Sequence, residues 1–139
     1  MIRFSKREDY AVILADSLAR AYGKRLVPLS EIAATYKISL LFLRNLAYEL
    51  RQHEIIKAVE GKKGGYYLSK DPASLKVGEI LEVFNTKPML QCCSFGDGRT
   101  KCPKEQFCQP GHVWTKLNKE FLDKIYNLTL LEFMKYKNE

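Results

Sequence analysis

Apolar residues at positions 10, 13, 14, 18 and 21 recur at three- and four-residue spacing. These five, Tyr10, Ile13, Leu14, Leu18 and Ala21, form one stripe and predict a helix over residues 5–22. Ser5 followed by Glu8 has the pattern of a capping box, and Gly23 is a natural stop. A second, shorter helix is predicted from Glu31 to Tyr36, opened by Pro28-Leu29-Ser30, with Leu29, Ile32 and Ala33 on one side. Lys37-Ile38 is a brief turn, and Ser39 is a good N-cap. A third helix then runs from Leu40 to about His53, burying Leu43, Leu46, Ala47 and Leu50 and presenting Arg44, Asn45, Tyr48 and Arg51 on the opposite face.

After that helix the period changes from helical to alternating. Ile55 to Val59 reads as a strand, 60–65 as a turn rich in Gly and Lys, and Tyr66-Tyr67-Leu68 as the returning strand. Two helices joined by so short a turn make a helix-turn-helix. The basic hairpin that follows gives the order of a winged helix. The expected fold class is therefore mostly α with a small β-hairpin wing: a winged helix-turn-helix followed by a long C-terminal dimerisation helix.

Asp71-Pro72 interrupts the pattern, and a short helix at about Val77–Phe84 supplies Val77, Ile80, Leu81 and Phe84 to the core. Asn85 to Gly111 has no periodicity. A long helix is then predicted from Pro110 to about Leu128, with Val113, Leu117, Phe121, Ile125 and Leu128 as its main stripe and Trp114, Leu122 and Tyr126 widening it. That is more apolar face than one small domain covers, so pairing with the same helix of a second chain is expected. Thr129 and Glu132 form a second capping-box pattern, opening a terminal helix. Three regions follow: 1–84, a DNA-binding winged helix; 85–111, a cysteine-rich cofactor loop; and 112–139, the dimerisation helix and C-terminal segment.

Composition changes this picture in two ways. The 139 residues suit one ordinary domain. No apolar run approaches the roughly 20 residues that cross a bilayer, and charges appear at once in MIRFSKREDY, so the expectation is a cytoplasmic protein without a membrane partner. The net charge of +7 is unevenly spread: residues 1–70 hold 13 Lys/Arg against 7 Asp/Glu (+6), and residues 71–139 hold 10 against 9 (+1). A basic half points to a polyanion, and with a winged helix that means a double-stranded DNA operator. Arg44 and Asn45 are the candidate base readers, because these side chains can pair bidentately with guanine and adenine. Ser39, Arg51, Lys57, Lys62 and Lys63 are candidate phosphate contacts. Gly64-Gly65 reads as a turn requirement.

The second change comes from cysteine. All four, Cys92, Cys93, Cys102 and Cys108, fall within 17 residues. In a reducing compartment such a cluster binds metal or does redox chemistry more often than it forms disulfides. From Cys93 the spacing is C-x8-C-x5-C, then x3-H to His112. It lacks the paired knuckles usual for zinc. Soft thiolates at wide spacing suit an iron–sulfur cluster (2Fe–2S or 4Fe–4S) or zinc, and spacing alone does not choose between them. Cys92 and Cys93 are adjacent, so one of them, preferably Cys93, is taken as a ligand with Cys102 and Cys108. A fourth ligand is open among His112, Asp9, Glu8 and a small molecule. A bare-thiol redox switch is the remaining alternative. No arrangement for enzymatic catalysis is discernible.

The chain resembles the IscR/NsrR-type winged-helix iron–sulfur transcriptional regulators. The resemblance runs over Ser5-Lys6, Tyr10-Ala11-Val12, Val27-Pro28-Leu29 with Ile32-Ala33, Ile38-Ser39-Leu40, the wing from Gly61 to Leu68, Val77-Gly78-Glu79-Ile80, the spaced cysteines, Trp114, and Asn127-Leu128-Thr129-Leu130. It implies a homodimer on a roughly palindromic operator, three cysteine ligands per subunit at Cys93 (or Cys92), Cys102 and Cys108, and, as in the nitric-oxide sensors, an aspartate at Asp9 donated across the dimer. The departures are informative. Gly111 stands where IscR-like members carry the ligand His, with His112 one residue late. Glu60 replaces a frequent wing Arg, and Arg44 an acidic reader, so operator sequence does not carry over.

Overall fold

The computed structural model describes residues 5–84 and 106–136. Its elements run α1 (Lys6–Arg20), α2 (Leu29–Tyr36), α3 (Leu40–Gln52), β1 (Ile56–Val59), β2 (Gly65–Leu68), α4 (Val77–Glu82), α5 (Gln109–Asn127) and α6 (Leu130–Tyr136). The mostly helical fold with one antiparallel hairpin is the expected class.

Helix α1 starts where Ser5 caps it. The Glu8 carboxylate accepts from both the N–H and the hydroxyl of Ser5, each at 2.9 Å. The helix ends two residues short of the predicted boundary, through a turn in which Gly23 takes φ +72°. Its deepest face is also rotated from the predicted stripe. Ala11, Leu14, Ala15, Leu18 and Ala19 are buried, whereas Tyr10 and Ile13 are only half-buried. The alanines matter because α1 packs on α3, α4, β2 and α6, and small side chains let several neighbours approach closely.

Between α2 and α3, Lys37 takes the left-handed conformation (φ 55°) and ends α2, and Ser39 caps α3. The turn is therefore as short as predicted. Leu43, Leu46, Ala47 and Leu50 are all buried. His53 closes α3, its Nδ1 lying 3.0 Å from the Glu49 carbonyl.

In the hairpin, Ile56 pairs with Leu68 and Val59 with Gly65. Val27, ahead of α2, adds a bridge on the outer side: its N–H donates to the Tyr66 carbonyl at 3.0 Å and its carbonyl accepts from Tyr66 at 2.8 Å. This pairing was not predicted, and it is what requires Gly65, whereas Gly64 meets the predicted turn requirement, its N–H donating to the Gly61 carbonyl at 3.0 Å. A Cβ on Gly65 would lie 2.9 Å from the Val27 backbone, and one on Gly64 would lie 2.0 Å from the Val59 carbonyl oxygen. The residue that needs glycine for its backbone angle is Gly61, at φ +116°.

The chain end folds back on the first half. Thr129 and Glu132 form the predicted capping box, with bonds of 2.9 and 3.1 Å. Leu130 is fully buried in the same core as Leu14 and Leu43, and backbone bonds tie Val77 to Leu128 and Leu130 to Leu75 at 2.8 Å each. Thus α6, assigned from sequence to the dimerisation segment, contributes to the winged-helix core. Gly78 lets α4 and α5 touch, since a Cβ there would meet the Tyr126 backbone at 2.7 Å.

Candidate nucleic-acid interface

A groove opens between α3 and the hairpin. Arg44, Tyr48 and Arg51 line it from α3, Ser30 from α2, and Val59 and Glu60 from the wing. Core packing aims these α3 side chains outward: with Leu43, Leu46, Ala47 and Leu50 buried, the helical period leaves Arg44, Tyr48 and Arg51 on the open side. Among the described residues, neither Arg44 nor Arg51 makes an ion pair, and nor do Lys57, Lys62 and Lys63 on the exposed hairpin. By contrast, Arg25, beside α2, is held by Glu31 at 2.6 Å. The hydrogen bond from Arg25 draws the Glu31 carboxyl below its ordinary range. Arg44, Arg51 and the hairpin lysines thus present charge that no ion pair among the described residues neutralises.

Asn45 lies on a different side of α3. It lines a recess with Arg7, Phe42 and Glu49, where Arg7 donates to Glu49 at 2.6 Å. The same guanidinium lies 5.2 Å from the centre of the Phe84 ring, a cation–π contact. Ser39 Oγ accepts from the Phe42 N–H at 3.4 Å, leaving its own proton free to donate. Two exposed large hydrophobic residues on α3 were absent from the predicted contacts, Leu41 (67% exposed) and Tyr48 (63%). Leu41 carried a usable signal: an apolar residue outside the stripe in the first helical turn.

The predicted cofactor residues divide into three groups. Cys92, Cys93 and Cys102 lie outside the described residues. Cys108 is half-buried at the start of α5, and the His112 N–H donates to its carbonyl at 3.2 Å, one helical turn on. Glu8 and Asp9 are elsewhere: they share a small apolar cavity with Val77, Ile125, Leu128 and Phe133. Burial, with the Glu82 and Glu8 carboxylates adding to it, pushes the Tyr126 phenol up. Seventeen residues separate Cys108 from Ile125, roughly 25 Å at 1.5 Å per helical residue. Within one chain, His112 accompanies Cys108, whereas Glu8 and Asp9 lie near the far end of α5. Glu8 is also engaged in its capping box. Asp9 is exposed, and its carboxylate makes no hydrogen bond or ion pair among the described residues.

Along α5, only Asn118 is buried. Val113, Trp114, Leu117 and Phe121 are exposed, the last two at 42% and 43%.

Comparison with known proteins decides the family. The profile of Rrf2, described as an iron-dependent transcriptional regulator, matches residues 4–136. The chain belongs to the Rrf2 family. It is a DNA-binding transcriptional regulator and not an enzyme, as the sequence reading expected. The HTH-type transcriptional regulator IscR of Sodalis glossinidius (strain morsitans) is 30% identical over 133 residues, covering 96% of this chain and 79% of that protein. The solved structure of T. potens IscR is 28% identical, with a TM-score of 0.74 over 98% of this chain and 88% of that one. The oxidised form of Staphylococcus aureus CymR is 25% identical, with a TM-score of 0.73 over 97% and 98% of the two chains. These similarities bear out the IscR-type resemblance. No helix among the described residues is long and apolar enough to cross a membrane.

Proposed function

We propose that this Rrf2 regulator binds its operator as a homodimer through α3 and the wing, and that Cys93 (or Cys92), Cys102 and Cys108 hold an iron–sulfur cluster whose presence sets DNA affinity. The supporting observation is the course of α5. It begins at the half-buried Cys108, carries the exposed apolar stripe, and ends against Glu8 and Asp9. A second copy on the stripe would cover it and bring an acidic end of one protomer toward the cysteine end of the other. Asp9 then reaches the cysteine site only from the partner, and His112 only from the same chain.

The donor set fits the group in kind. Cys108 is a thiol without a disulfide among the described residues, and thiolates are the usual holders of such clusters. When bound, the cluster supplies a redox-active centre. What the chain supplies is the connection. Arg7 joins Glu49 on the recognition helix to Phe84, at the edge of the cysteine-bearing segment, so a shift in that segment would bear on α3. The three regions 1–84, 85–111 and 112–139 are accordingly proposed as reader, sensor and dimer face, with α6 lending Leu130 to the reader's core.

Anaerobic purification tests the proposal. A brown protein with iron, acid-labile sulfide and visible absorption is expected, with colour lost in Cys102→Ser and Cys108→Ser and operator affinity changed on cluster removal. A colourless protein holding stoichiometric zinc would establish the structural-zinc alternative instead. The oxidised form known for the CymR relative favours one further reading, a bare-thiol switch. Oxidation-dependent DNA binding in metal-free protein, abolished by Cys→Ser, would identify it.

A further inference from the structure

We propose that Leu41 reads a thymine 5-methyl group in the major groove. The inference rests on α3 being the recognition helix. A single exposed leucine on a protein surface is ordinary, and its place is what gives this one meaning. Leu41 lies in the first turn of α3, 67% exposed. It belongs neither to the buried core nor to the half-buried residues packed around it, although its neighbours Leu40 and Phe42 do. Arg44 and Tyr48 follow it at three and seven residues, so all three share the outward side of the helix. The start of a recognition helix is the part that meets base edges.

A leucine there finds one apolar group on the base edges of the major groove, the methyl of thymine; the other edges present hydrogen-bond donors and acceptors. Opposite guanine or cytosine, Leu41 would cover polar atoms without pairing them, which costs free energy. Opposite thymine it would remove two apolar surfaces from water. Leu41 therefore favours thymine at one position per half-site, beside the position read by Arg44, and does so without charge.

The test begins with an operator selected from random duplexes by the full-length, anaerobically purified protein. Each thymine is then replaced in turn by deoxyuridine, which lacks only the methyl. The wild type should bind roughly fourfold more weakly when one particular thymine of a half-site is replaced. Leu41→Ala should bind the thymine and uracil duplexes equally, Leu41→Met should keep the discrimination, and all three proteins should share one salt dependence, since no phosphate contact changes. A wild type indifferent to every methyl, or a Leu41→Ala variant that keeps the full effect, overturns the inference while leaving α3 as the recognition helix. A selection that enriches no sequence overturns the recognition-helix reading and this inference with it.

Discussion

In the winged-helix half, the stripes of α1, α2 and α3 meet one another, and Leu14, Leu43 and Leu50 are sealed from solvent. Along α5 the corresponding stripe stays open, with Trp114, Leu117 and Phe121 exposed. Both halves show the same helical periodicity in sequence. They differ in what surrounds them: α1 packs on four other elements, whereas α5 makes its main contact with α4. An apolar stripe thus marks a surface suited to burial without saying whether the same chain buries it. In a regulator the distinction is functional, because a surface completed by another chain can couple two DNA-reading units.

The comparison can be broken at its strong side first. Leu50→Ala removes a fully buried side chain and should destabilise the fold by about 2–5 kcal/mol, read as a lower denaturation midpoint that does not depend on protein concentration. The open side should respond differently. Leu117→Ala combined with Phe121→Ala should weaken the proposed dimer by roughly 30-fold or more while leaving the circular dichroism of the fold intact. Sedimentation would show it, and the wild type's rise in melting temperature with concentration should flatten in the variant. A concentration-independent melt in the wild type would remove the distinction altogether.

The smallest effect concerns the seam before α4. Burial pushes the Glu79 carboxyl up, but hydrogen bonds from the Lys70 ammonium and the Lys76 N–H outweigh it and leave Glu79 below its ordinary value. A carboxyl depressed in the folded state contributes stability that is present above its unfolded pKa, about 4.3, and is lost as pH falls through the lower folded value. Acid titration of Glu79→Gln should therefore show a shallower loss of stability below about pH 4.3 than the wild type. Parallel titration curves would show that Lys70 and Lys76 do not hold this carboxylate in solution.

Much of this was legible in sequence because it is local. The caps at Ser5, Ser39 and Thr129, the stop at Gly23 and the outward face of α3 each depend on residues within one or two turns. The Val27–Tyr66 bridge, the reason for Gly65 and Gly78, and the contact of Arg7 with Glu49 and Phe84 were not legible, since each joins residues far apart in sequence. The cofactor residues show the same division. Their identities and spacing can be read directly, but only the cavity that Glu8 and Asp9 share with Ile125 and Leu128 shows that Asp9 and Cys108 stand apart within one chain.

By itself, the sequence determined the order of elements, the basic first half, the thiol-rich segment and the excess of apolar surface on the long helix, all of which follow from side-chain chemistry and helical or strand period. Tertiary structure decided which face of α1 is deepest, where the glycines are indispensable, that α6 belongs to the core, and which candidate ligands lie near one another. Those outcomes depend on distances between segments, and periodicity fixes directions around an element's own axis without fixing its distance from any other.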